Sequence, residues 1–532
     1  MARIEEQFRL SLTTVIWNHT ANVETPLPDM PGGVVRVYPA SGATAMLPLT
    51  PANNYSPTIL FCGGSDMPEY AFGNYTFPFI NTWEYPASKD CQRITPEPQD
   101  GSTPVYEQDD DMLNGRTMGQ FITLPTGKLL VVNGGLNGTA GYSQATLLTP
   151  TYGQMPYGES LASGPVGTPA IYDPTAAKGQ RWSNAGLGTT KIPRLYHSSA
   201  ILLPDASVLI AGSNPNVDVN TSTIFPTTYQ AEIFYPPYFS ATTRPIPTGI
   251  PSNLSYGGKP FDITVPATSY SGSANDAAHS TIVAVIRGGF TTHAMNMGQR
   301  FLQLNNTYTV NKDGSITLHV AQLPPNANLF QPGPAFLFVT VNGIPSNGTY
   351  LIVGNGQIGT QPLSAASVLP ASVGLASASG SASGSSTSGG GTTQDDEGKS
   401  NLGVIIGSVV GAIVVLGLIG TIIGICVARR KRAAGRLEQS TSYPMQGAST
   451  GAAAGAAVIG GAPSRPMRGS DSSAFLPLGH DDLAWNGSTG SLSMPYRDYE
   501  GMRPSGTGMS MDIDPYTARP MQPQGAGHDN RF

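Results

Sequence analysis

The sequence has few charged residues and few cysteines, and each shortage excludes a class of protein. Only 12% of the 532 residues are charged, against about 25% in an average soluble domain. The 64 glycines and 46 prolines disfavour helical bundles and coiled coils. Three cysteines cannot build a disulfide scaffold, and a net charge of −6 argues against a nucleic-acid-binding surface. A loop-rich, mostly β globular part with low-complexity segments remains.

One uncharged apolar segment, residues 402–428, predicts a transmembrane helix. About 20 apolar residues span a bilayer as a helix, whereas a buried core helix, the alternative, is usually shorter. Residues 429–432 read Arg-Arg-Lys-Arg, and a basic flank faces the cytosol. The pattern therefore predicts a single-pass membrane protein with its N-terminal part outside. Small residues at Gly403, Gly407 and Gly411 would also permit self-association of this helix.

The segments on either side of the helix, and the start of the chain, complete the predicted organisation. Residues 356–401, rich in Ser, Gly and Ala, predict a flexible stalk, and residues 429–532 predict a disordered cytosolic tail. Residues 1–20 lack the apolar run of a signal peptide. Because the predicted topology requires export of the preceding residues, we expect that the N-terminal part of a longer protein is missing here.

Sequons and cysteines both fit an exported domain. Chance would give about half as many N-x-S/T sequons as the eight in residues 1–363. Cys62 and Cys91 are predicted to form a disulfide, with two separate buried thiols as the alternative. Cys426 is either palmitoylated or an inert thiol. The candidate glycosylation sites are Asn18, Asn54, Asn74, Asn137, Asn220, Asn253, Asn305 and Asn347.

Residues 30–235 contain a recurring pair of apolar strands that ends in a Gly-rich exit. Two clear copies span residues 116–135 and 194–213, and a looser copy spans residues 36–65. Strand pairs that end in Gly-Gly are typical of kelch-type propeller blades, because glycine permits tight turns between strands. Since a propeller closes with about four to eight blades, the pattern predicts a partial β-propeller over residues 1–238, incomplete at its N-terminal side.

The pattern changes over residues 239–355, where short strands follow one another at a steady spacing. They read FDITVP, STIVAVIRG, SITLHVAQLP, PAFLFVTVNG and GTYLIVG, and no helical periodicity interrupts them. Such a series predicts a β-sandwich of the immunoglobulin-like class.

Two histidines are candidate metal ligands. His197 follows Tyr196 at the start of a blade strand, and His293 lies inside the predicted sandwich. Imidazole suits copper, zinc and iron. Neighbouring strand residues point to opposite faces, so Tyr196 and His197 share a metal only if the backbone bends there. A lone histidine is more often structural than a ligand, and the spacing by itself does not establish a metal site.

Taken together, these segments resemble the fungal glyoxal oxidases of the copper radical oxidase family, which is related to galactose oxidase. RLYHSSAILLPDASVLIAG resembles the family's Tyr-His copper motif, and TTHAMNMGQRF resembles its second histidine motif. The resemblance, over roughly residues 30–355, implies a seven-bladed propeller, an early-set sandwich and one copper ion. Tyr196 would be the axial ligand and proton acceptor, and His197 and His293 the equatorial ligands. The implied reaction oxidises small aldehydes to carboxylic acids and reduces dioxygen to hydrogen peroxide.

The chain departs from the family in the second half of its cofactor, a radical tyrosine crosslinked to a cysteine. No cysteine precedes Cys62, so Tyr38 has no upstream partner, and Met118 supplies no phenol. We therefore expect copper ligands without the Tyr-Cys radical cofactor, and an inactive chain. A non-catalytic, membrane-anchored surface-binding module is the alternative. A zinc or copper hydrolase is a weaker one, because no H-E-x-x-H motif supports it.

Overall fold

The computed structural model describes residues 2–3, 12–68, 71, 80–293, 295–376 and 474–477. Within them the chain forms thirty strands, numbered β1 to β30 in chain order, and one short α-helix, α1 (Ala274–His279). The prediction of a mostly β protein is therefore confirmed. In this part of the chain no helix is long and apolar enough to cross a membrane, and residues 402–428 lie outside it.

Three of the antiparallel sheets have four strands, and each of these sheets contains one of the repeats found in the sequence. Each repeat forms a two-stranded hairpin within its sheet, while a closed propeller stays a prediction. The first sheet contains β4 (Ala43–Met46), β5 (Ile59–Cys62), β6 (Cys91–Ile94) and β7 (Tyr106–Gln108). The second contains β8 (Gln120–Thr123), β9 (Leu129–Val132), β12 (Ala170–Tyr172) and β13 (Trp182–Ser183). The third contains β14 (Ser198–Leu202), β15 (Val208–Gly212), β16 (Ala231–Tyr235) and β30 (Ala474–Pro477).

Smaller sheets surround these three. One has three strands and another is a long hairpin. They are formed by β1 (Ala2–Arg3), β2 (Thr14–Asn18) and β3 (Val23–Leu27), and by β10 (Gly135–Tyr142) and β11 (Pro156–Pro165). A disulfide joins Cys62 and Cys91, which face each other on β5 and β6 and are fully buried.

The arginine at the start of each repeat is buried and stabilises its hairpin through hydrogen bonds. Arg36, Arg116 and Arg194 are only 2–3% exposed, and each guanidinium donates to a backbone carbonyl at the exit of its own hairpin. The accepting carbonyls belong to Gly63, Asn133 and Gly212, respectively. Burial lowers the pKa of Arg116 to about 10. The repeated arginine is therefore a structural residue that orders the turn beside it.

The glycine at the hairpin exit is required by a close approach of two backbones. Gly64 and Gly134 have φ values of +86° and +92°. A Cβ at these positions would lie 2.1 Å from the carbonyl oxygen of Val35 and 2.2 Å from that of Thr117, respectively. The Gly-Gly signal in the sequence thus marks the point where the exit crosses the start of the same repeat.

Residues 253–353 form a sandwich of a larger and a smaller sheet, and its strands lie where the sequence predicts them. Apolar side chains from both sheets, among them Val285, Leu337 and Leu318, form one fully buried core. The larger sheet contains β17 (Asn253–Leu254), β28 (Thr349–Val353), β26 (Gly333–Val341), β20 (Ile282–Arg287), β23 (Arg300–Leu304) and β27 (Ile344–Pro345). The smaller contains β19 (Phe261–Val265), β25 (Ile316–Val320) and β24 (Asn306–Val310). Two-stranded pairs are β18 (Tyr256–Gly258) with β29 (Leu363–Ala366), and β21 (Phe290–Thr292) with β22 (Met295–Met297).

The outer face of the larger sheet packs against the first half of the chain. Ala284 and Phe301 of this face form a buried cluster with Ala206, which lies in the turn between β14 and β15. The Gln299 side chain also donates a 2.8 Å hydrogen bond to the Phe121 carbonyl on β8. The β21–β22 hairpin in turn contacts β14 of the third four-stranded sheet and β8 of the second.

Two of the segments that the sequence predicts to be low-complexity contain described strands. The predicted stalk, residues 356–401, contributes β29 and a further backbone hydrogen bond from Val373 to Tyr308, so its first part belongs to the sandwich. The predicted tail, residues 429–532, contributes β30, which pairs with β16. Composition did not indicate either strand because both pair through the backbone with strands that are remote in sequence. Residues 377–473 and 478–532 lie outside the described residues.

Candidate metal centre

A turn immediately before β14 carries two of the predicted ligands. Tyr196 and His197 occupy this turn, and His197 has a φ of +62°, a left-handed conformation that is uncommon outside glycine. The bend lets the two neighbouring side chains face the same way: their rings stack with centroids 3.8 Å apart. The backbone therefore bends at the start of β14, as it must if Tyr196 and His197 are to bind the same metal ion.

The third predicted ligand comes from the β21–β22 hairpin of the sandwich. His293 lies at the tip of the hairpin with a φ of +50°, and its Nδ1 is 2.8 Å from the Thr292 hydroxyl. With Nδ1–H donating to that hydroxyl, Nε2 keeps a lone pair for a metal. The His293 ring centroid lies 6.2 Å from that of His197 and 6.0 Å from that of Tyr196. Two separate parts of the chain thus bring all three predicted ligands together.

Two further tyrosines border the site, and the sequence had not placed them there. The Tyr38 ring lies 5.4 Å from His293 and 6.3 Å from Tyr196, and the Tyr142 ring lies 6.3 Å from Tyr196. The repeat itself carried a signal for Tyr38: like Met118 and Tyr196, it stands two residues after the opening arginine. All three side chains pack in one cluster. Equivalent positions of the repeats therefore converge on the site.

The surroundings of His197 favour its neutral imidazole. Burial lowers the pKa of His197 below its usual value, and the charge of nearby His293 lowers it further, against a hydrogen bond from the ring to the Asn214 backbone, which raises it. Tyr196 is only 6% exposed, whereas His197 and His293 are accessible to solvent. A small molecule can therefore reach the imidazoles, and the phenol lies in a drier layer beneath them.

Two imidazoles and a phenol are a donor set that fits copper. Among the residues that the structure describes, no group of three or more His, Cys, Asp or Glu side chains could hold a metal. A metal at this site would thus depend on the tyrosine as well as the histidines. This composition gives no support to the hydrolase alternative.

The remaining predicted site residues lie on the surface or outside the described residues. Asn74 lies outside them. Asn137 and Asn220 are half-buried, and the Asn137 side chain donates to the Ser163 hydroxyl. The exposed sequon asparagines are Asn18, Asn54, Asn253, Asn305 and Asn347.

Antiparallel four-stranded sheets adjoin a β-sandwich, and two histidines and a tyrosine converge where the two meet. Residues 11–238 match the model of the glyoxal oxidase N-terminus, and residues 244–353 match that of the galactose oxidase-like early set domain. Together these matches span more than half of the chain. The chain belongs to the glyoxal oxidase family of the copper radical oxidases.

Curated relatives agree with this assignment. The chain is 32% identical over 344 residues to "Aldehyde oxidase GLOX1" of Arabidopsis thaliana, covering 62% of this chain and 50% of that protein. It is 33% identical over 337 residues to "Aldehyde oxidase GLOX" of Vitis pseudoreticulata, covering 62% and 57%. A "Galactose oxidase" of Gibberella zeae is 28% identical over 263 residues, covering 46% and 34%. The chain thus spans about half the length of the plant relatives.

Proposed function

We propose that this chain binds one copper ion through His197, His293 and Tyr196. The observation that carries the proposal is the convergence of these rings, from a turn of the first half and a hairpin of the sandwich. Copper, when bound, would supply one-electron redox chemistry between its two common oxidation states. Both histidines stand on left-handed backbone, a strain that persists where the surrounding structure imposes a geometry and that is frequent at functional sites.

Three side chains near the site would position the ligand, accept a proton and exclude water. Thr292 holds the His293 ring through Nδ1. The buried Tyr196 oxygen would accept the hydroxyl proton of a bound aldehyde hydrate. Tyr38, beside both His293 and Tyr196, would cover one side of a small substrate and restrict water. These roles favour a small aldehyde over a polymer, because the space between the rings is narrow.

The reaction of the complete oxidase would transfer two electrons. The aldehyde hydrate loses two electrons and two protons and becomes a carboxylic acid. Dioxygen gains these two electrons and two protons and becomes hydrogen peroxide. Copper accounts for one electron, so a second redox group is needed. Cys62 and Cys91 are joined to each other, so neither sulfur is available for a thioether with Tyr38. This supports the proposal that the chain binds copper but does not turn over.

The same observation favours a second candidate, a non-catalytic surface-binding module. Both candidates predict a folded sheet-and-sandwich unit, and they differ in redox activity. The discriminating property is peroxide production by the copper-loaded chain.

The experiment loads the full chain with copper, measures bound copper by metal analysis, and then measures peroxide with methylglyoxal. The Arabidopsis relative, assayed in parallel, controls for the assay. We expect bound copper and no peroxide. Robust turnover would contradict the missing-cofactor proposal, and absence of copper binding would contradict the site.

Ligand variants separate site loss from general damage. His293→Ala should abolish copper retention. His279→Ala removes another exposed histidine, at the end of α1, and should retain copper. Equal copper content in both variants would show that His293 is not a copper ligand.

A further inference from the structure

The strand β8 is the last strand of the second four-stranded sheet, and within the described part of the chain no strand pairs with its outer edge. Just after β8, the Leu124 N–H donates to the Lys128 carbonyl, so residues 122 and 124 form the hydrogen-bonded pairs with the partner strand β9. The Phe121 carbonyl and the Thr123 N–H therefore point away from β9, toward the open edge. Buried backbone groups of this kind need another partner.

A single side chain from the sandwich supplies that partner. The Gln299 amide donates a 2.8 Å hydrogen bond through Nε2 to the Phe121 carbonyl, and its Oε1 accepts a 3.1 Å hydrogen bond from the Thr123 N–H. A glutamine amide carries a donor and an acceptor, as a backbone peptide group does. Gln299 therefore binds the edge of β8 as a backbone partner would, although it lies 176 residues from Thr123 in the chain.

Gln299 lies at the base of the hairpin that carries His293. Only two residues connect β22 to β23, and Gln299 is the second of them. Asn296 of β22 donates a 3.1 Å hydrogen bond to the same Phe121 carbonyl and a 3.3 Å hydrogen bond to the Gln299 Oε1. A Cβ on Gly289 would lie 2.0 Å from the Asn296 Oδ1, so this side chain packs closely against the start of the hairpin. These contacts attach β22 to β8.

The other strand of the hairpin is attached to the third four-stranded sheet. The Thr291 hydroxyl on β21 donates a 3.4 Å hydrogen bond to the Ala200 carbonyl on β14. This strand begins directly after the turn that carries Tyr196 and His197. The hairpin therefore bonds to two different sheets, and its position between them determines how His293 lies relative to the other two ligands.

We propose that Gln299 is a positioning residue for His293. Its amide sets the position of the hairpin on β8, and that position holds the His293 ring 6.2 Å from the ring of His197. Thr292 orients the imidazole directly, whereas Gln299 acts through the backbone of the hairpin. The inference rests on the proposed copper site, because it assigns a function to the position of a ligand. Loss of a residue that orients a metal ligand typically lowers metal affinity by about 10- to 100-fold.

Hydrogen exchange of the full chain without metal tests the attachment itself. Gln299→Met keeps the length of the side chain but has no N–H donor and only a weak acceptor, so the Thr123 amide should lose protection. The matched control Gln357→Met replaces an exposed glutamine after β28 and should leave the exchange of β8 unchanged. Mass spectrometry with fragmentation of the β8 peptide measures both variants. Unaltered protection of Thr123 in Gln299→Met would contradict the attachment.

Copper loading of the same variants tests the consequence for the site. Gln299→Met should bind copper about 10- to 100-fold more weakly than the wild type, and its electron paramagnetic resonance spectrum should lose hyperfine structure from one imidazole nitrogen. A variant that is merely less stable would keep the wild-type spectrum for the copper that it binds. Gln357→Met should match the wild type in affinity and spectrum. Unchanged affinity and spectrum in Gln299→Met would overturn the proposal.

The two measurements separate this proposal from the copper site on which it rests. A wild-type chain that binds no copper would contradict the copper site, whereas hydrogen exchange would still decide whether Gln299 holds the hairpin.

Gln299→Asn provides a second variant that keeps a polar amide, in case the methionine variant does not fold. Its side chain is one methylene shorter, so at least one of the bonds to Phe121 and Thr123 is lost. The copper affinity should fall in the same direction as in Gln299→Met, and circular dichroism checks that both variants are folded. Wild-type affinity in a folded Gln299→Asn would also overturn the proposal.

Discussion

The two halves of this molecule hold their strands together in different ways. The sandwich relies on one continuous apolar core between its two sheets. The four-stranded sheets have smaller, separate apolar clusters, and in addition each repeat is fastened by a buried arginine and shaped by a glycine at the hairpin exit. The stability of the sandwich therefore depends on buried apolar volume, whereas the stability of the repeats also depends on a defined backbone geometry.

That difference matters for the site because the ligands sit on turns rather than in strands. Tyr196 and His197 lie two and three residues after Arg194, so the arginine that holds the third hairpin also positions them. His293 stands on a hairpin that is anchored by the bond from Asn296 to the Phe121 carbonyl, at 3.1 Å. The first half thus supplies a rigid turn, and the sandwich supplies a hairpin that reaches it.

The largest expected effect is loss of a repeat arginine. Arg194→Ala leaves the Glu232 carboxylate buried without its cation, and breaking a buried pair in this way costs about 3–5 kcal/mol. Lys89→Ala removes a cation that is exposed, as is its partner Asp111, and should cost at most about 1 kcal/mol. Urea unfolding measures both variants. Similar losses in the two variants would contradict the contrast between the buried repeat arginines and a surface cation.

A deletion in the sandwich core should have a comparable but purely apolar cost. Leu337 is fully buried between the two sheets, and Leu337→Ala should lower the free energy of unfolding by about 3 kcal/mol. Leu363→Ala, at an exposed position of β29, should change it little. A small loss for Leu337→Ala would mean that the sandwich does not depend on apolar volume.

Replacement of two glycines that both have a positive φ tests the backbone geometry of the repeats. Gly134→Ala combines a left-handed residue with a Cβ only 2.2 Å from the Thr117 oxygen, and should cost about 2–3 kcal/mol. Gly101→Ala has a φ of +73° but nothing within 4 Å of its Cβ, and should cost about 1 kcal/mol. Thermal or urea unfolding compares them, and equal losses would show that close approach is irrelevant.

The smallest effect concerns a carboxylate in a loop of the first half. Burial raises the pKa of Asp110, but backbone N–H groups of Gly179 and Arg181 and the nearby cations lower it more, so that the net pKa lies below 3.8. The native state therefore favours the ionised form, and this stabilisation, present above the unfolded pKa, is lost as the pH falls through the lowered pKa.

Asp110→Asn should accordingly reduce the free energy of unfolding at neutral pH by at most about 1 kcal/mol. The difference from wild type should shrink as the solution is acidified below the unfolded pKa. Urea titrations across this range measure it. A difference that grows on acidification would contradict the sign of the shift.

The sequence predicted the strands well because alternation and Gly-rich exits are local signals. It also identified His197 and His293 as candidates, since both lie in motifs, and the structure brings their rings near each other. It considered Tyr38 only as a partner for an upstream cysteine. The contact of Tyr38 with His293 joins residues far apart in the chain, and the repeat position indicates it only once the repeats are known to converge. The strands at 363–366 and 474–477 were missed for a related reason: they depend on open edges elsewhere in the fold.

The electron paramagnetic resonance spectrum of the copper-loaded chain, recorded with its copper content, tests most directly whether the three rings form a copper site. We expect one copper per chain, with hyperfine structure from two imidazole nitrogens in the wild type. His279→Ala should leave the spectrum unchanged, and His293→Ala should lose both the copper and the signal. A wild-type chain that retains no copper, or a two-nitrogen signal that survives His293→Ala, would contradict the site.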